Sequence, residues 1–190
     1  MDALTLDCQS LKLTDEQFYQ LCINNKDLRI ERNADGDLLI MPPTGGETGN
    51  RNGRLIQQLF NWSDLDATGI AFDSSTGFKL PNGANRSPDA SWIPLTKWDA
   101  LTPDEKQQFI PLCPDFVIEL LSPSDNLSKT QSKIREYIDN GTKLGWLINR
   151  SQKQVEIYRQ GQKVEVLDLP DDLSGEDVLK GFTLNLQPIW

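Results

Sequence analysis

Asp115-Phe116-Val117-Ile118-Glu119-Leu120-Leu121 is the most strand-like run in the chain. Side chains alternate faces along a strand, so Phe116, Ile118 and Leu120 share one face and Asp115, Val117, Glu119 and Leu121 the other. Both faces are mainly apolar, which predicts a central strand covered on both sides. Glu119 is the anomaly. A carboxylate in such a strand costs on the order of several kcal/mol unless it is paired, protonated or bound to a metal. A strand ending near the rim of its sheet, with Glu119 reaching solvent or an arginine, accounts for the residue equally well.

Working outward, Ser122-Pro123-Ser124 breaks the strand, and Leu127 to Asn140 reads as a helix with Leu127, Ile134 and Ile138 inward and Gly141 as its stop. Strands follow at Leu144 to Ile148, Val155 to Tyr158, Lys163 to Leu167 and near Phe182 to Leu186. On the other side, Thr14 to Asn24 is a short helix with Thr14 as N-cap and Gln17 at the capping-box position. Leu28 to Glu31 and Leu38 to Met41 form a hairpin around Asp35-Gly36, closed by Pro42-Pro43. Thr44 to Glu47 fits a second capping box, opening a helix that carries Leu55, Ile56, Leu59 and Phe60 on one face. Gly69 to Leu80 reads as one strand, Pro81-Asn82-Gly83 as a turn, Pro88 to Ile93 as a strand, and Pro103-Asp104-Glu105 as the start of a short helix. Helices interspersed with runs of strands predict an α/β (α+β) chain with a central mixed sheet flanked by helices. Residues 1–190 suit one domain, with an N-terminal helix and hairpin over 1–41 and the core and C-terminal strands over 42–190.

Composition narrows the chemistry. There is no histidine, which excludes Ser-His-Asp and Cys-His nucleophile systems and His-ligated zinc. Cys8, Cys22 and Cys113 have neither metal-ligand spacing nor a disulfide framework. Catalysis would have to run on carboxylates, lysines, hydroxyls or a hard metal ion. The net charge of −9 counts against a simple nucleic-acid binder, although a local basic patch can coexist with an acidic remainder. With no apolar run long enough to span a membrane and no signal-peptide pattern, the expected location is the cytoplasm.

Asp89 follows Pro88 at a strand start and would ordinarily be a turn or cap residue. A neighbouring strand bearing Glu119 changes that. Directly opposite positions on paired strands lie roughly 5 Å apart, where two bare carboxylates repel. A hard divalent cation such as Mg²⁺ resolves both costs, since it takes one or two carboxylates plus water and phosphate oxygens; the Leu120 carbonyl is a candidate further ligand. Lys133, on the shoulder of the helical apolar stripe beside Lys129 and Tyr137, is either a surface lysine whose stem covers the core edge or a charge aimed at a phosphate. Glu47 is either a helix-capping residue or an outer metal ligand. Arg51, Arg54, Arg86 and Lys79 describe either a basic rim or a solvated surface. The Gly-rich Thr44 to Asn50 lacks the Lys-Ser/Thr of a P-loop.

Ser87-Pro88-Asp89, Pro114 to Ser124 with its Glu-x-Leu-Ser-Pro-Ser segment, Lys133-x3-Tyr137-x3-Gly141, Gly145-Trp146-Leu147-Ile148, Val155 to Arg159 and Leu179-Lys180-Gly181-Phe182 together resemble the Uma-two family of putative restriction endonucleases, within the PD-(D/E)XK nuclease superfamily. The resemblance runs from about Leu38 onward. It implies a restriction-endonuclease-like core in which Asp89 and Glu119 bind Mg²⁺ or Mn²⁺, with DNA as substrate and a homodimer by superfamily analogy. It places the family's helix-start polar position near Glu47 and makes Tyr137 an accessory residue and Arg51, Arg54, Arg86 and Lys129 candidate DNA contacts. The superfamily pattern carries lysine two residues after the glutamate, where this chain has Leu121; in the Uma-two pattern the lysine sits on the following helix, here Lys133. A metal-dependent endonuclease and a non-catalytic module that keeps the nuclease fold are both expected readings of that arrangement.

Overall fold

A computed structural model describes residues 3–123 and 125–190. In chain order the elements are β1 (Leu4–Leu6), α1 (Asp15–Asn24), β2 (Arg29–Arg32), β3 (Leu38–Met41), α2 (Gly46–Asp66), β4 (Gly69–Asp73), β5 (Phe78–Lys79), β6 (Asn85–Arg86) and β7 (Ala90–Pro94). They continue with α3 (Leu95–Trp98), α4 (Pro103–Gln107), β8 (Phe116–Leu121), α5 (Leu127–Asp139), β9 (Leu144–Asn149), β10 (Gln154–Arg159), β11 (Glu165–Asp168), β12 (Asp172–Ser174) and β13 (Thr183–Asn185).

The principal sheet runs β11-β10-β9-β8-β7-β4. Only β8 and β9 are parallel, and α5 supplies the crossover that a parallel pair requires. The sheet is therefore mixed and flanked by helices, as the order of elements predicts. Every residue of β8 is buried. Its two faces separate as the alternation dictates. Phe116, Ile118 and Leu120 join a core with Leu55 and Leu59 of α2, Trp146, Ile148 and the C-terminal Phe182 and Leu184. Val117 and Leu121 face Ile134 and Tyr137 of α5, together with Phe78, Ile110 and Leu147. Burying several large side chains on each face at about 1.5–3 kcal/mol apiece is what holds the three layers together.

A second sheet, β1-β3-β2-β6-β5, joins the N-terminal hairpin to strands from the middle of the chain. The hairpin is thus hydrogen-bonded to the core, with Arg32 of β2 opposite Asn85 of β6. Thr14 and Gln17 make the capping box expected of them. Three expectations need correction. Gly69 to Leu80 is two strands in different sheets, separated by a turn in which Asp73 Oδ1 accepts from the Ser75 amide at 3.0 Å. The strand expected from Pro88 begins at Ala90, leaving Asp89 just outside it. Helix α2 has Gly45 as its N-cap with no side-chain cap, so Thr44 and Glu47 form no capping box.

Candidate active site

Strand β7 lies antiparallel to β8 with Ala90 opposite Ile118. One residue further along the same register puts Asp89 opposite Glu119. The Leu120 amide donates to Asp89 Oδ2 at 2.8 Å, so the Asp89 side chain lies against the end of β8. The pairing expected between the two carboxylate-bearing segments is therefore present, at the end of β8 that opens into a cleft of about 1100 Å³. Arg29, Glu31, Glu47, Asp89, Glu119 and Lys133 all line that cleft.

Glu119 points to the α5 face, and Lys133 reaches it from one turn before Tyr137. Lys133 Nζ lies 2.8 Å from Glu119 Oε1. The two form a close, largely buried ion pair. Burial pushes the Glu119 carboxyl up to about 7; the Lys133 charge opposes the shift, while Asp89 and Glu31 reinforce it. Burial also raises Asp89, against the charges of Arg29 and Lys133. Burial works against the Lys133 ammonium, but Glu119 and Glu31 outweigh it and hold its pKa above the ordinary value. Lys133 is therefore a cation at neutral pH.

A third carboxylate, marked by no local pattern, joins the site. Glu31, on β2, is 2% exposed. Its Oε1 accepts from Lys133 Nζ at 2.9 Å and from the Ser87 amide at 3.1 Å, and its Oε2 accepts from Arg86 Nη1 at 3.2 Å. Burial raises the Glu31 carboxyl, but the Lys133 and Arg86 charges prevail and leave it below its usual range. Arg86 also donates through Nε to Glu136 Oε2 at 2.6 Å. Arg86 is thus a buried structural cation, not part of a basic rim. Lys79 is likewise committed, to Asp15.

Arg29, also unforeseen, donates through Nη2 to the Ser87 carbonyl at 3.1 Å and lies 3.9 Å from Asp89 Oδ1. Glu47 lines the cleft, but its carboxylate is 81% exposed and pairs with Arg51 at 3.7 Å and Arg150 at 3.3 Å. Arg51 also donates to the Trp190 carbonyl at 3.2 Å. Arg54 and Lys129 are exposed, and Lys129 lines the cleft. Tyr137 is fully buried with an unpartnered hydroxyl, and its ring lies 5.9 Å from Lys133 Nζ.

Among the described residues no group of three or more carboxylates or thiols is gathered as a metal cage. Asp89 and Glu119 remain the pair suited to a hard cation. Both are disfavoured as bare anions, and Glu119 shares its counter-charge, Lys133, with Glu31.

The mixed sheet flanked by helices, with β8 and β9 parallel about the α5 crossover, is a nuclease-like fold of the restriction-endonuclease kind. The model of the Uma2 family, described as putative restriction endonuclease, matches residues 15–187, and the chain belongs to that family. The match begins earlier than the Leu38 of the sequence resemblance and takes in the hairpin that carries Glu31. A solved structure described as a putative nuclease belonging to DUF820, from Anabaena variabilis ATCC 29413, is similar at TM-score 0.71 and 23% identity, covering 88% of this chain and 90% of that one. No curated protein matches. No helix among the described residues is long and apolar enough to cross a membrane.

Proposed function

We propose that this chain is a divalent-cation-dependent endonuclease that hydrolyses DNA phosphodiester bonds in the cleft. The observation that carries the reading is the Asp89–Glu119–Lys133 constellation: two facing carboxylates, both pushed toward neutrality by burial, under an ammonium 2.8 Å from Glu119. Asp89 and Glu119 would hold Mg²⁺ or Mn²⁺, with the Leu120 carbonyl as a further oxygen. When bound, such an ion polarises a phosphate oxygen and makes the attacking water more acidic. The Leu120 amide fixes the orientation of Asp89. Lys133, charged and mostly withdrawn from solvent, offsets the negative charge that builds on the phosphate, an effect strengthened where water is excluded. Arg29 and Lys129 supply positive charge along the cleft for the flanking backbone, and Arg54 adds to it outside.

The test is cleavage of linear, supercoiled and single-stranded DNA with Mg²⁺ and with Mn²⁺, for the wild type, Glu119→Gln and Lys133→Ala. Metal-dependent cleavage by the wild type alone, with DNA binding retained by Lys133→Ala, is the expected result. Failure of the wild type to bind Mg²⁺ by calorimetry or to cut any of these substrates would refute the proposal. The second reading, a non-catalytic module on the same fold, is favoured by the ion pairing that ties Lys133 to two carboxylates. It predicts binding without cleavage in every condition.

A further inference from the structure

Lys133 carries three ammonium protons, and the structure shows which groups orient them. Glu31 Oε1 accepts at 2.9 Å and the Ser87 carbonyl at 3.3 Å. Glu119 Oε1 lies on the same ammonium, at 2.8 Å. The ammonium is therefore shared: Glu31 and the Ser87 carbonyl hold it from one side and Glu119 from the other. Glu31 is itself fixed from the other side, by the Ser87 amide and by Arg86, which Glu136 anchors in turn.

We propose that Glu31 is a positioning residue for the site: it holds its share of the Lys133 ammonium, so that Glu119 is not closed off by a complete ion pair and stays open to the cation. This rests on the reading of Asp89 and Glu119 as the cation-binding pair. Two carboxylates share one ammonium. If Glu31 loses its charge, Glu119 becomes the sole anion in contact with Lys133, the ammonium turns onto it, and an incoming cation must displace a complete ion pair. Glu31 comes from the N-terminal hairpin, so the hairpin completes the site as well as covering one wall of the cleft.

Glu31→Gln tests this, because the side chain keeps its shape and one acceptor oxygen but loses its charge. Two readouts apply: a crystal structure of the variant, and Mg²⁺ titration by calorimetry, with circular dichroism to establish that the variant folds. The expected result is Lys133 Nζ withdrawn from residue 31 and from the Ser87 carbonyl and paired with Glu119 alone, with Mg²⁺ affinity about tenfold weaker, the size of one ordinary charge-pair perturbation. Glu31→Asp, which restores the charge on a shorter stem, should recover part of the affinity, and it serves the same two readouts if the glutamine variant does not fold. Lys133 unmoved and Mg²⁺ affinity unchanged in a folded variant would overturn the role of Glu31. A wild-type protein that binds no Mg²⁺ overturns the metal reading instead, and the position of Lys133 in the variant crystal still decides the role of Glu31.

Discussion

Replacing Glu119 by glutamine should make the folded protein more stable at mildly alkaline pH, in contrast to most changes at a buried position. A carboxyl held at about 7 instead of its ordinary 4.5 carries an ionisation penalty of about 3 kcal/mol. The sign follows from proton binding. Between those two values the folded protein keeps a proton that the unfolded chain has released, so stability falls as pH rises through the window. Below about pH 4.5 both states are protonated and the penalty vanishes; above about pH 7 it is complete. Glutamine has no charge to bury, and Lys133 keeps Glu31 as its counter-ion in the variant. Urea unfolding of both proteins at a series of pH values should therefore give a stability difference of under about 1 kcal/mol near pH 5, rising to about 3 kcal/mol near pH 8, or roughly 6 to 12 °C in Tm. The absence of histidine keeps this window nearly free of other titrating side chains. Burial also raises Asp89, but that contributes to both proteins and is reduced by taking the difference. A variant less stable than wild type near pH 8, or a difference that does not change with pH, would refute the reasoning.

Three further outcomes follow from the same geometry. Saturating Mg²⁺, at about a hundred times its Kd, should add about 2.7 kcal/mol to wild-type stability and little to Asp89→Asn or Glu119→Gln, read by thermal shift. Arg86→Ala leaves buried Glu31 and nearly buried Glu136 without their shared cation and should cost about 3–5 kcal/mol in urea unfolding. Gly69→Ala places a methyl group against the Trp92 ring and the Ile93 carbonyl on the paired strand, with no flexible side-chain end to yield. It should lower stability by about 1–3 kcal/mol by overpacking, checked by the same unfolding assay.

What could be read in advance, and what could not, divides by distance along the chain. Strand β8 was legible because its six residues are apolar but for one, and each face meets a different core. Helix α5 was legible from Ile134, the buried centre of its inner stripe, and from Gly141, whose φ of +117° ends it. The break after β4 was also written locally, in Asp73-Ser74-Ser75-Thr76-Gly77, where the aspartate side chain bonds the backbone two residues on. A strand pattern laid over it missed that signal. Glu31 is different. Its partners lie 55, 56 and 102 residues away, and within its own strand it is one of three charged residues in four. No periodicity distinguishes it from Arg29 or Arg32. Only the pairing of β2 with β6 and the packing of α5 over β8 bring its partners together.

A lysine on α5 rather than on β8, as proposed for this site, fits the same packing. The position two residues after Glu119 is Leu121, on the same face of β8, and that face there is filled by Ile134, Tyr137, Leu147 and other apolar side chains. A lysine rooted at 121 would remove Leu121 from that apolar cluster. Helix α5 crosses this face, and Lys133 lies one residue before buried Ile134, so its stem runs along the edge of the core and its ammonium arrives 2.8 Å from Glu119. Electrostatics constrains where the charge stands relative to the carboxylates, not which backbone carries it. The helical origin has one consequence that a strand lysine would not share. Arriving from above the sheet, the ammonium meets a carboxylate of the second sheet, Glu31, as well as that of β8, so its position depends on the N-terminal hairpin staying docked.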